Sequence, residues 1–451
     1  MQSQQNDKQF VKYVIPAVIG MVVQALYVIL DGIIVGQGIG EIGLASVNIA
    51  FPCSMVVIAL AMLIASGGAN VYSFYKGQGE AGKANNIFNQ CLTLAVSIGA
   101  VIALLGFFFR QPLAVFFGAD EMLLPSTVAY LKWIAPFSLL QMLVCLLAVF
   151  VRNDDAPRLA MFASVTGAVI NAILDVIFIL ILDFGIEAAA ITNGIGMLIE
   201  LTFYTAHFAR KRGVLRIRAP HFDITDVKRV LGNGFATFLM EFSLPAVTFS
   251  FNLAIMRTQG TLGVTAYSIV GYVCSIINMT LIGVTQGAQP LMSFYHGSGD
   301  TAAFDRVYRL GVRTNLIVPA VLVSLCIAFS GGIVTLFRGG NPELTALTTR
   351  MLRLYPIAHI AIGPTLMNIL YFQTTERNAF STLISFLRCI GFVQIFLLLS
   401  LFVFDGKGLY LTFLAGEACH VFISLILVRR VKRTEKKGLD EDTERRITVH
   451  T

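Results

Sequence analysis

The sequence predicts an all-α membrane protein: twelve transmembrane helices in two six-helix lobes, related by a pseudo-two-fold axis along the membrane normal. Three observations predict it. Hydrophobic residues make up 56% of the 451-residue chain and charged residues only 13%, with a mean hydropathy of +0.76, too apolar for a globule that must solvate its surface. Apolar runs of the roughly 20 residues needed to cross hydrocarbon recur from Val11 to Val428, separated by short polar breaks. One polar loop is also written twice, as SFYKGQGEAGKANNIF from Ser73 and SFYHGSGDTAAFDRVY from Ser293, 220 residues apart.

The expected spans are 11–35, 45–70, 88–109, 127–150, 159–182, 187–209, 231–256, 264–292, 311–330, 346–371, 382–403 and 409–428. The opening MQSQQNDKQF lacks the basic and small-residue features of a cleaved secretory signal, so the first run is expected to stay in the mature protein. In the paired loops Gly77 and Gly79, like Gly297 and Gly299, suit sharp turns where a helix leaves the membrane. Pro136 in the fourth span and Pro356 in the tenth repeat the 220-residue offset, each just after a basic and an aromatic residue. The longest break between spans makes 211–230 the expected linker between lobes 1–210 and 231–430, with a charged tail at 431–451. Because each half has an even number of spans, the repeat is parallel, and two lobes facing a central cavity suit alternating access.

The net charge of +7 does not mark a nucleic-acid partner, because of where the cations lie. Lys8, Lys12, Lys76, Lys83, Arg152, Arg158, the run RKRGVLRIR, Arg229, Arg306, Arg309, Arg313, Arg377 and the run RRVKRTEKK all fall on one side, while the alternate loops hold Arg110, Arg257, Arg338 and Lys407. By the positive-inside rule, both termini and every even-to-odd loop are cytoplasmic. The seven cysteines are scattered singly through apolar runs, which predicts neither a disulfide nor a structural metal. His359 and His420 are expected in the membrane without ligand-type neighbours.

An ionisable group inside a span costs about 2.5–3.5 kcal/mol on insertion scales, so each one asks for a reason. Asp31 in QALYVILDGIIV and Asp175 in VINAILDVIFIL lie near the outer ends of the first and fifth spans, with Asn171 one turn deeper on the face of Asp175. Thr192 and Asn193 lie at similar depth in the sixth span. These oxygen-rich groups could converge on Na⁺. They could equally share a proton, since neighbouring carboxylates in a low dielectric cannot both keep their charge cheaply. The alternative for Asp31 is an interfacial residue reaching outward. Glu200 and Glu417 are candidates for hydrogen-bonded packing residues. Glu241 lies near mid-membrane in the seventh span, the best candidate for a charge facing the central cavity, with Gln286 and Asn252 as further polar lining. Tyr27, Met55 and Met240 offer faces suited to bulky cationic guests. Outer-depth carboxylates occur in the first half only, which places ion coupling there.

The runs VIPAVIGMVVQALYVILDGIIVGQGIGEIGLASVNIAFP, SFYKGQGEAGKANN, VRNDDAPRLAMFASVTGAVINAILDVIFI and GAQPLMSFYHG resemble the multidrug and toxic compound extrusion (MATE) transporters, in particular the bacterial MepA and DinF-like branch. The resemblance covers the chain up to its charged tail. It implies a twelve-helix, two-lobe antiporter of the bacterial inner membrane, multi-pass in the lipid bilayer, which expels cationic drugs in exchange for H⁺ or Na⁺. No cofactor is expected, and the chain is expected to work as a monomer. It also implies that Asp31, Asn171, Asp175 and Thr192 form the first-lobe site, and would be the metal ligands if the coupling ion is Na⁺. Glu241 stands about one turn from the seventh-helix acid of another branch. Two rivals remain. A flippase for lipid-like substrates would want a cationic cavity, for which Arg257, Arg388 and Arg353 are the supply. A membrane enzyme would need a grouped nucleophile, base or metal, and no HExxH, GxSxG or histidine pair is present.

Overall fold

The computed structural model describes residues 2–211, 213–337, 342–404, 406 and 408–449; Arg338, Lys407 and the Arg212 of RKRGVLRIR lie outside them. The first half comprises α1 (Gln2–Gly38), α2 (Gly40–Gly77), α3 (Ala81–Phe108), the short α4 (Arg110–Phe116), α5 (Leu124–Asn153), α6 (Pro157–Asp175), a π-helical segment (Val176–Ile181) and α7 (Ile186–Ala209). The second half comprises α8 (Ile224–Ser298), α9 (Thr301–Ala328), α10 (Ser330–Phe337), α11 (Pro342–Leu354), α12 (Ala358–Thr374), α13 (Asn378–Ile390), α14 (Phe392–Phe402) and α15 (Leu409–Val449).

Among the described residues ten helices are long and apolar enough to cross a membrane. Helix α8 carries the seventh and eighth expected spans together, turned at Gly260, whose φ is +65°. The tenth expected span is not one helix. It divides into α11, a 3-10 turn at Tyr355–Ile357 and α12, because Pro356 brings no N–H and disfavours helical geometry at the residue before it. The eleventh is likewise broken, at Gly391 between α13 and α14.

The repeat is visible in the backbone. The turn before α6 places Asp155 at φ +64°, and the turn before α13 places Glu376 at φ +57°. Each acid takes a cation, Lys76 Nζ at 2.7 Å from Asp155 and Arg229 Nε at 2.7 Å from Glu376. Each half has its own aromatic core, with Tyr72, Phe88, Phe150 and Tyr204 in the first and Phe251, Tyr267, Tyr355 and Phe413 in the second. Phe108, Phe116, Phe162 and Phe249 are exposed, as expected of side chains that face lipid rather than water.

The two halves meet at the end that carries the paired loops. Asn70 Oδ1 accepts from Gln289 Nε2 at 2.8 Å and from the Ser293 hydroxyl at 3.0 Å, and Asn153 Nδ2 donates to Gln289 Oε1 at 3.1 Å. Arg152 donates to Gln286 at 2.7 Å, Arg306 pairs with Asp7, and the Arg229 guanidinium lies 4.7 Å from the Phe74 ring centre. A Cβ on Gly77 would overlap the Phe294 carbonyl oxygen, and one on Gly297 would overlap that of Phe74. The duplicated loops therefore touch each other across the repeat axis, backbone on backbone.

The expected linker is more than a tether. Residues 214–221 run along α3, where Asn85, Asn86, Asn89 and Gln90 bond the backbone of Arg216, Arg218 and His221 at 2.6–3.1 Å. Side-chain amides thus do for the linker what a partner strand does in a sheet. Its start is held by Asp154, a carboxylate 1% exposed that accepts from Tyr72 at 3.0 Å, Val214 N at 2.7 Å and Leu215 N at 3.4 Å, and lies 3.0 Å from His207 Nε2. Asp154→Ala would strand these groups, and should cost about 3–5 kcal/mol, read as a fall in the thermal midpoint of the purified protein.

Asp155, next to it, lies outside the spans. Partial burial pushes its pKa up, but the Lys76 ammonium and the Tyr13 hydroxyl outweigh that and hold it below the usual carboxylate range. A depressed carboxylate stabilises the fold at neutral pH and loses that contribution as pH falls below about 4 through its folded value. Acidification should therefore lower the thermal midpoint of the wild type more than that of Asp155→Asn.

Candidate functional site

The outer half of the first lobe gathers polar groups inside apolar walls. Asp175 is the last residue of α6, immediately before the π-helical segment, a feature that often re-aims side chains at functional positions. It is fully buried. The Thr192 hydroxyl donates to its Oδ1. Thr192 can also return that proton to its own helix, with the Ala188 carbonyl at 2.9 Å, so its bond to Asp175 is exchangeable. A close crossing sets this geometry. A Cβ on Gly196 would stand 3.1 Å from both Asn171 Cβ and the Gly167 carbonyl oxygen, so small residues let α6 and α7 meet with their polar side chains between them.

Asp31, on α1, reaches the same place. Its half-buried carboxyl stands beside that of Asp175. Two ionised carboxylates offer only acceptors, so a proton or a cation is needed to join them. Asp175 Oδ2 and both amide atoms of Asn171 are buried with no hydrogen-bond partner. Three orphaned polar atoms in one seam are what a small cationic guest would satisfy. Tyr27, one turn before Asp31, lies near both carboxylates, as does Tyr130 on α5. Tyr27, expected as cavity lining, therefore stands beside the carboxyl pair. Tyr130 carried no sequence signal, since a tyrosine in an apolar helix is ordinary. Asn193 points elsewhere than Thr192, being about 100° further round the helix, and none of the hydrogen bonds described places it on either carboxylate.

Glu200 lies further along the same α6–α7 crossing, its Cγ 3.2 Å from where a Cβ on Gly167 would stand. Glu241 on α8 is half-buried and lies electrostatically near Cys145 of the first lobe, which Glu200 approaches from α7. Glu200 Oε1 is 3.4 Å from the Tyr204 hydroxyl. Gln286 is engaged across the lobes by Arg152, a cation that sequence position alone assigned to the membrane surface. Met55 and Met240 are half-buried, and Met240 packs against both core clusters of the second half. Asn252 keeps a buried, unpartnered Oδ1. Glu417 is a packed, hydrogen-bonded residue, with its Oε1 3.2 Å from Arg388 Nε. The expectation that His420 lacks a ligand-type neighbour fails, because Glu417 Oε2 stands 3.5 Å from its Nδ1. The signal was in the sequence: Glu417 and His420 are three residues apart, on one helix face. Arg388 is thereby committed inside its own lobe and does not supply a cationic cavity.

A family model described as MatE matches residues 16–177 and 236–399. The chain is 22% identical over 432 residues to the multidrug export protein MepA of Staphylococcus saprophyticus, covering 93% of each. It is 23% identical over 442 residues to a FAD transporter of Shewanella oneidensis, covering 93% of this chain and 94% of the relative. Among solved structures, an outward-facing multidrug resistance MATE family transporter of the MOP superfamily matches with a TM-score of 0.90 at 21% identity, covering 96% of this chain and 97% of that one. A MATE structure in a bent conformation matches at 0.87 with the same coverage.

Proposed function

Because the chain belongs to the MatE family, whose model covers most of both halves, we propose that it is a multidrug efflux antiporter exporting organic, mostly cationic amphipathic compounds in exchange for H⁺ or Na⁺. As a family member it is a secondary transporter of the MepA type and not an enzyme. One observation carries the coupling: half-buried Asp31 stands beside fully buried Asp175 in a seam with three orphaned polar atoms, and no cationic side chain is bonded to the pair among the described residues. Neutralising that pair from outside supplies a differential interaction, which is what moves a two-state equilibrium. The residues fit either ion. Asp31, Asp175, Asn171 and Thr192 offer the oxygens that Na⁺ takes, and the carboxyl pair can hold one proton.

In this reading the paired-loop end faces the cytoplasm of the bacterial inner membrane, where its contacts close the drug path. Loading the first-lobe site repacks α1, the drug leaves outward, and the lobes rock about their axis to open the other side. Glu241 and Glu200 give the inter-lobe space its preference for cations, and one chain holds every group required. The opposite polarity has two observations in its favour: Arg152 places a guanidinium at the lobe interface, and a relative is described as a FAD transporter. Proteoliposomes loaded with a fluorescent cation or with a flavin, under imposed pH or Na⁺ gradients, separate these cases. Cation efflux that follows one of the gradients is expected; efflux indifferent to both would remove the coupling, and flavin efflux alone would reverse the polarity.

A further inference from the structure

The second lobe contains a buried polar cluster that the transport reading does not use. Glu417 and His420 on α15 are each 1% exposed, and Arg388 on α13 is 8% exposed. Arg388 Nε donates to Glu417 Oε1 at 3.2 Å. The Leu387 carbonyl near the end of α13 accepts from Gly391 N at 2.7 Å, and its other lone pair is free to meet His420 Nε2, which lies 3.1 Å away. A nitrogen facing a carbonyl must carry the proton, so in a neutral imidazole Nδ1 is an acceptor. That acceptor points at another, Glu417 Oε2, 3.5 Å away, and both atoms are buried without a hydrogen-bond partner.

Neither protonation state satisfies the cluster fully. With His420 neutral, two lone pairs face each other in a dry site. With His420 protonated, both ring nitrogens are satisfied, but Glu417 must then balance two cations, leaving one positive charge uncompensated. Among the described residues, the other titratable side chains near the cluster include His359 on α12, Tyr355 in the 3-10 turn and the adjoining Cys389 and Cys419, and none of these is a second carboxylate. Two states with comparable defects are the condition for exchange under mild change. The gap suits a proton and not a metal ion, because Arg388 already occupies the carboxylate's other oxygen.

We propose that the His420–Glu417 pair is a second proton-binding site, in the lobe that lacks the outer aspartates. It makes the second lobe sensitive to H⁺ alone, whichever cation the first lobe uses. The site itself does not depend on the transport reading; only its consequence for efflux does. Purified full-length protein is taken from alkaline to mildly acidic pH and proton uptake is measured with an indicator dye. His420→Gln, whose amide can still donate to the Leu387 carbonyl, should take up about one proton fewer per chain than the wild type. Glu417→Gln should also lose that proton, since its amide can donate to Nδ1 directly, and it guards against a folding defect specific to the first variant. Gly82→Ala, whose added Cβ meets nothing within 4 Å, should keep it. If both second-lobe variants fold and match the wild type in uptake, His420 is either permanently charged or permanently neutral and the site is withdrawn. Loss of efflux with unchanged proton uptake would count against the site in the same way, while leaving the transport reading intact.

Discussion

Asp175→Asn is expected to cut gradient-driven efflux roughly 5–150-fold, the range of a coupling free energy of about 1–3 kcal/mol, and to leave the protein folded. The amide is nearly isosteric with the acid, and its oxygen can still accept from Thr192, so the α6–α7 seam keeps its packing. What disappears is the charge that an incoming cation would neutralise. Asp31 alone then carries no partner to repel, and the site loses its reason to bind a cation more tightly in one conformation than in the other. Efflux from proteoliposomes, with thermal midpoints as a folding control, checks this. A variant that still follows the imposed gradient would place the coupling elsewhere. Asp31→Asn should behave alike, and the double variant should be little worse than either single one, because residues acting as one unit are not additive.

How much of this was legible in the sequence depends on what kind of signal each residue leaves. Asp31, Asp175 and Thr192 were legible because a charge inside an apolar run is costly, and the helical repeat places such residues in depth. The paired loops were legible as a repeat, but not as two surfaces that touch, since contact between segments 220 residues apart leaves no local mark. Asp154 was hidden by its setting. A carboxylate between two spans reads as solvated, and only the return of residues 214–221 along α3 buries it. Arg152 misled for the same reason, sitting among cations that set topology while itself turned toward Gln286. Asn193 was grouped with Thr192 by depth alone, and adjacency along a helix is not adjacency in space. The tenth span was found but not its break, although Pro356 marked the place.

The same physical contrast makes the loop glycines a direct test of the lobe motion. Gly77→Ala and Gly297→Ala each add one methyl group where the other loop's backbone already stands, against the Phe294 and Phe74 carbonyl oxygens. A flexible side chain could yield, but a backbone carbonyl tied into a helix cannot, so the lobes must separate at this end. Overpacking of this kind costs typically about 1–3 kcal/mol, and here it acts on one conformation only, because the two loops part when that end opens. The closed population should fall about 5–150-fold relative to the open one. Spin labels placed on the two loops should report longer distances in either variant, and efflux should drop because the closed state can no longer compete. Gly82→Ala, in the same loop with nothing within 4 Å of its added Cβ, should change neither distance nor rate. Since Gly77 and Gly297 press on one interface, the double variant should open it little further than the first substitution does. Unchanged label distances in both single variants would mean that the contact between the repeated loops is not what holds the lobes together.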